Sequence, residues 1–155
     1  MPNHIKRVLI GVLLTSTIAS RTWAAGVQVG AGAFDWGGSA AGLAELRLGT
    51  NLLHLGSAFG VLANTDGGVY GYGGLYFDLP LGRFAIIPLG AVGFYHQGSS
   101  KDLGGVLEFR GSITAAYALA NGSRVGIQLG EISNLGLYSH NPGEGDIFLT
   151  YTAVF

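Results

Sequence analysis

The sequence predicts an all-β fold, an eight-stranded antiparallel transmembrane β-barrel. Three observations carry that expectation. The chain is 48% hydrophobic and only 11% charged, with mean hydropathy +0.42, where soluble domains carry roughly 25% charge. Beyond the N-terminal segment, no run reaches the roughly 20 apolar residues of a spanning helix. The rest of the chain divides evenly into short segments whose side chains alternate between apolar and polar.

At 155 residues the length fits one domain preceded by a targeting segment. "MPNHIKRVLIGVLLTSTIASRTWAAG" has Lys6 and Arg7, an apolar core from Val8 to Ala19, and small residues at Thr22, Ala24 and Ala25. This is the pattern of a signal peptide over residues 1–24, cleaved after Ala24 or Ala25, with the barrel over residues 25–155. Losing Lys6, Arg7 and Arg21 leaves five Lys and Arg against nine Asp and Glu, a net charge of −4. That balance argues against a nucleic-acid partner, whose phosphates call for a basic face. With no cysteine, disulfide and thiol chemistry are absent.

Turn signals place the strands. "DWGGS", "TNLLH", "NTDGG", "DLPLG", "HQGSSKDLGG", "ANGS" and "NLGLYSHNPGEG" make seven breaks, hence eight strands of roughly nine to twelve residues, a length suited to tilted spanning strands. In "VLEFRGSITAAY", Glu108, Arg110, Ser112 and Thr114 share one parity, and Leu107, Phe109, Ile113, Ala115 and Tyr117 the other. "GLAELRLG" likewise sets Glu45 and Arg47 against Ala44, Leu46 and Leu48. A membrane barrel turns the apolar face to lipid and fills its lumen with polar and small residues. In "VQVGAGAF" the inward positions Gln28, Gly30 and Gly32 leave room for larger neighbours. Eight strands enclose a filled interior, which disfavours a channel and makes Glu45, Arg47, Glu108 and Arg110 a structural ion network. The final strand, "DIFLTYTAVF", aligns Ile147, Leu149, Tyr151, Ala153 and Phe155 on one face. Its aromatic end resembles the barrels recognised by the bacterial barrel-assembly machinery, which implies an outer-membrane location after export.

With both termini in the periplasm, "NLGLYSHNPGEG" is an extracellular loop and "RVGIQLGEIS" the strand running out to it. Arg124, Gly126, Gln128, Gly130 and Ile132 then face the lumen, while Val125, Ile127, Leu129, Glu131 and Ser133 face lipid. A carboxylate and a hydroxyl on the lipid side have two readings. Either the strand has left the hydrocarbon by Glu131, or the pair forms a site that acts on a membrane lipid from outside the barrel wall.

The stretch from Phe109 to Phe155 resembles the C-terminal half of the lipid A 3-O-deacylase family, outer-membrane enzymes also known as acyloxyacyl hydrolases. That family shows Phe-Arg-Ser, then His-x-Ser-Asn-Ala-Gly, then Asn-Pro-Gly-x-Glu; the N-terminal strands here fit its architecture without a distinctive motif. The resemblance implies hydrolysis of the 3-position acyl ester of lipid A by a Ser-His-Glu triad on the outer wall. Ser133 corresponds to the nucleophile. Asn134 and Gly136 match the motif around it and Asn141, Pro142 and Gly143 the loop that shapes an oxyanion hole, so the resemblance makes Asn134, Gly136, Asn141 and Gly143 the oxyanion and substrate-binding candidates. Two positions depart: Glu131 stands where the family has His, and Gly145, between Glu144 and Asp146, where it has Glu. A Ser hydroxyl needs an adjacent base. The candidate bases are His140, in a rearranged Ser133–His140–Glu144 triad, and less favourably Glu131; His54 falls at a periplasmic turn and His96 at another extracellular rim. No metal site and no cofactor are implied. The expected partner is lipid A or lipopolysaccharide. Two functional readings stand: a deacylase, or a catalytically inactive member serving as a structural or lipopolysaccharide-binding barrel.

Overall fold

The computed structural model describes residues 25–49 and 53–155. Alternation and turn chemistry arrange them as β1 (Ala25–Phe34), a 3-10 turn (Asp35–Gly37), β2 (Ser39–Leu48), β3 (Leu55–Asn64), β4 (Val69–Phe77), β5 (Leu79–Leu81), β6 (Phe84–His96), β7 (Leu107–Ala118), β8 (Arg124–Ser133) and β9 (Glu144–Val154). The strands follow the order β4-β3-β2-β1-β9-β8-β7-β6-β5, and β4 also pairs with β6. That last pairing closes eight long antiparallel strands into a barrel. The short β5 sits inside the break expected at "DLPLG", where Leu79 and Leu81 pair with Ile86 and Phe84 around Gly82, whose φ of +67° favours glycine. Part of the break at "TNLLH" lies outside the described residues. The last break is shorter than expected, because β9 starts at Glu144 and takes Glu144 and Gly145 into the ladder opposite Ile132 and Glu131.

Ala25 and Phe155 exchange backbone hydrogen bonds at one end of the barrel, where Arg124 also donates to Asp78 at 2.7 Å. Opposite this Phe155 end is a loop end carrying the 3-10 turn, the β3–β4 turn, the β6–β7 loop and the β8–β9 loop. There Asn64 Nδ2 donates to Ser100 Oγ at 2.8 Å and the Ser99 amide donates to Asp66 O at 2.9 Å. His54 lies at the Phe155 end and His96 at the loop end.

The outer wall is a belt of exposed apolar side chains, among them Val29, Phe59, Val61, Ile113, Ile127 and Leu149. Such a belt on a wall one residue thick is the surface of a barrel that spans lipid. Tyr70, Tyr72 and Tyr76 are buried in the lumen. Glycines make space for two of these rings: a Cβ at Gly56 would overlap Tyr76, and one at Gly60 would overlap Tyr72. A Cβ at Gly30 would meet Phe148 Cβ at 3.3 Å, a tight contact short of overlap.

The lumen also holds ion pairs with no side-chain exposure. Arg47 pairs with Glu45, as the sequence suggested, and Tyr72 Oη donates to Glu45 Oε2 at 2.6 Å. Arg110 differs from expectation. Its partner is Asp146, held through both terminal nitrogens, with Gln128 Oε1 at 3.4 Å, and not Glu108. Register explains this. Asp146 pairs with Gly130, and a Cβ at Gly130 would overlap the Arg110 guanidinium, so this glycine opens the path between β7 and β9. Arg47 also lies 5.4 Å from the Tyr76 ring centre and Arg110 5.8 Å from that of Tyr72, each a cation–π contact.

Removing one member of a buried pair strands the other charge, at a cost of about 3–5 kcal/mol. Arg110→Met should therefore lower the urea midpoint of the detergent-refolded barrel by that equivalent, while Arg83→Met, at an exposed turn, should change it little.

Candidate active site

β8 carries two polar side chains on its apolar face. Glu131 is exposed and Ser133 half-buried, while their neighbours Gly130 and Ile132 face the lumen. Glu131 is flanked in the ladder by glycines on both sides, Gly111 of β7 and Gly145 of β9. Ser133 pairs with Phe109. The returning β8–β9 loop closes onto both polar residues: a Cβ at Gly143 would lie 3.5 Å from Glu131 Oε1 and 3.9 Å from Ser133 Cβ. Glu131, Ser133 and Gly143 thus share one patch of the outer wall at the loop end.

The other sequence-derived candidates are not part of that patch. Glu144 is buried on the lumen side, and its Oε2 accepts from the Asp35 amide at 3.1 Å. Ser133 and Glu144 therefore lie on opposite faces of the wall, because β9 already alternates at Glu144. The His140 side chain is exposed, and among the described residues no hydrogen bond joins it to Ser133 or Glu144. The Ser133–His140–Glu144 relay is not assembled.

Asn134 is wholly buried and acts as the hub of the loop. Its Nδ2 donates to the carbonyls of Leu103 and His140, both at 2.8 Å, which ties the β8–β9 loop to the β6–β7 loop. Its Oδ1 accepts from the Gly136 amide at 3.0 Å, and its own amide donates to Asn141 Oδ1 at 3.1 Å. The donors that an oxyanion would need from Asn134 and Gly136 are thus engaged within the loop, and Asn141 serves the loop too. Gly143 lies against the Ser133 side chain, its Cβ position 3.9 Å from Ser133 Cβ.

A residue missed in the sequence completes the patch. A Cβ at Gly145 would overlap Cε2, Cζ2 and Nε1 of Trp36, so the indole covers Gly145 beside Glu131. Trp36 reaches there from a strained turn. Asp35 at φ +50° and Trp36 at φ +51° are both left-handed, a conformation costing a non-glycine residue about 1–2 kcal/mol. Three contacts hold the turn: Glu144 accepts from the Asp35 amide, Lys101 Nζ donates to Asp35 Oδ1 at 2.7 Å, and the Gly38 amide donates to Asp35 O at 3.1 Å. "DWGG" reads as an ordinary glycine-rich turn, and only the closed barrel shows what its Trp covers.

Fold and patch define a transmembrane barrel with a serine and a carboxylate side by side on its outer wall. The profile of the lipid A 3-O-deacylase (PagL) family matches residues 7–152, and the chain belongs to that family. The fold is similar to the crystal structure of the outer membrane enzyme PagL, with a TM-score of 0.57 at 19% identity over 82% of this chain and 97% of that one. No curated protein matches the chain significantly.

Asn134→Ala removes one buried hydrogen bond to the Leu103 carbonyl of the β6–β7 loop and one to the His140 carbonyl within its own loop, each worth about 1–3 kcal/mol. The expected outcome is protease cleavage between residues 134 and 143 with the strands intact. Ser133→Ala, by contrast, should leave both the loop and the unfolding midpoint unchanged.

Proposed function

We propose that this chain is an outer-membrane barrel that binds lipid A against its outer wall at Ser133 and does not hydrolyse it. Family membership supports lipid A as the ligand, and the apolar belt supports a bilayer setting. The signal-peptide pattern over residues 1–24 and the aromatic C-terminus support export followed by insertion through the barrel-assembly machinery.

One observation carries the non-catalytic half of the reading: the Trp36 indole fills the space over Gly145, the position at which the family's acid would project. The second departure lies beside it, because Glu131 replaces the family's His. A serine hydroxyl attacks an ester only when a neighbouring base accepts its proton, and a carboxylate is a much weaker base than an imidazole. Loss of a triad member alone lowers rates by several orders of magnitude. Here two positions are changed, and His140 does not take their place.

Mass spectrometry of lipid A from cells expressing the chain tests this reading beside a Ser133→Ala control. Unchanged lipid A in both is the expected result; a 3-linked acyl chain lost only with Ser133 present would establish a working deacylase and overturn it. A gain of function is expected from rebuilding the relay. Glu131→His combined with Gly145→Glu and Trp36→Ala, which clears the indole from position 145, should release the acyl chain in a Ser133-dependent manner at high lipid A, although the lipid is held more weakly.

A further inference from the structure

The outer-wall patch contains polar groups without partners. Among the described residues no hydrogen bond engages the Trp36 indole N–H, the Glu131 carboxylate or the Ser133 hydroxyl. Trp36 is 67% exposed on one side of Glu131. On the other side, a Cβ at Gly111 would meet nothing within 4 Å, so the wall there is open. The result is a notch with an aromatic face at one edge, an acceptor at its centre and a hydroxyl above it.

Tryptophan is common at membrane interfaces, where it needs only the right depth. Trp36 differs, because its turn is held in left-handed backbone by Glu144 from the lumen and Lys101 from the neighbouring loop. Strain maintained by several independent contacts points to a required position.

Charge selects the ligand chemistry. Arg47 and Arg110 are buried in lumen pairs, and Arg124 and Arg83 lie towards the Phe155 end. Among the described residues, Lys101 is the single Lys or Arg at the loop end, and it is engaged by Asp35. Recognition of phosphate calls on Arg or Lys forks, and none faces the notch. Glu131 repels a phosphate and accepts from a hydroxyl. The indole offers a flat apolar face with a donor at its rim. These are the demands of a sugar ring.

We propose that Trp36, Glu131 and Ser133 form a sugar-binding notch on the outer wall, which takes a hexosamine ring of the lipid A headgroup and makes no use of its phosphates. Lipid A as the ligand rests on the function proposed above; the Trp36 contact and the indifference to phosphate go beyond it. The Asp35–Lys101 pair is a positioning device that keeps the indole in place.

Intrinsic fluorescence tests the contact, because the chain has two tryptophans and Trp23→Phe leaves Trp36 alone. The full chain carrying that change is titrated in phosphatidylcholine vesicles containing lipid A, or lipid A stripped of both phosphates. Lipid retained by the purified barrel is measured in parallel by mass spectrometry. Both lipids should shift the Trp36 emission, with affinities within about threefold of each other. Glu131→Leu should weaken retention about tenfold, and Lys101→Met should diminish the emission shift. Trp36→Phe should keep more retention than Trp36→Ala, with heat-modifiable gel mobility confirming the folded barrel in each case. If lipid A is retained but its dephosphorylated form binds about tenfold more weakly, or if Trp36→Ala and Glu131→Leu retain lipid A as the parent does, the sugar notch is wrong while lipid A binding stands. If the parent retains no lipid A at all, the notch and the function beneath it fall together.

Discussion

A closed sheet one residue thick gives each strand side chain two destinations, lumen or outer wall, and residues adjacent in sequence cannot share one. In β8 the apolar belt takes Val125, Ile127 and Leu129, so Glu131 and Ser133 must follow them outward. In β9 the lumen takes Glu144 and Asp146, so Gly145 must face out. Slipping either strand by one residue would turn its polar set into lipid, which fixes the register strongly. The same constraint separates the hydroxyl of Ser133 from the carboxylate of Glu144 by the thickness of the wall.

The lumen and the outer-wall patch are nevertheless mechanically joined. Asp146 holds Arg110 in the interior, and two residues earlier Glu144 accepts from the Asp35 amide at the rim. Lys101 completes the clamp from the β6–β7 loop, which Asn134 fastens to the loop following Ser133. A filled, ion-paired core thus supports a turn in which Asp35 and Trp36 are both left-handed and the Trp36 indole covers the outer wall.

How much of this was legible in the sequence follows from how local each feature is. Alternation is local, so the eight long strands, the inward Glu45 and Arg47 and the outward Glu131 and Ser133 could be read directly. The partner of Arg110 was not readable, because a choice between Glu108 and Asp146 depends on cross-strand register and on the space left by Gly130. From the sequence Glu144 reads as a loop residue beside His140, since the polar run hides where alternation resumes. Asn134 matched a motif linked with oxyanion binding, yet its hydrogen bonds depend on Leu103, distant in sequence. Trp36 lies more than a hundred residues from Gly145, and no spacing rule links them.

The separation of Ser133 from Glu144 by the barrel wall is tested most directly by cysteine labelling, since the chain has no cysteine of its own. Ser133→Cys and Glu144→Cys barrels are reconstituted in vesicles and treated with a bulky maleimide before and after unfolding. Cys at 133 should label in the folded barrel, while Cys at 144 should resist until the barrel unfolds. Equal labelling of the two in the folded state would place both side chains on one surface, and the divided site described here would be wrong.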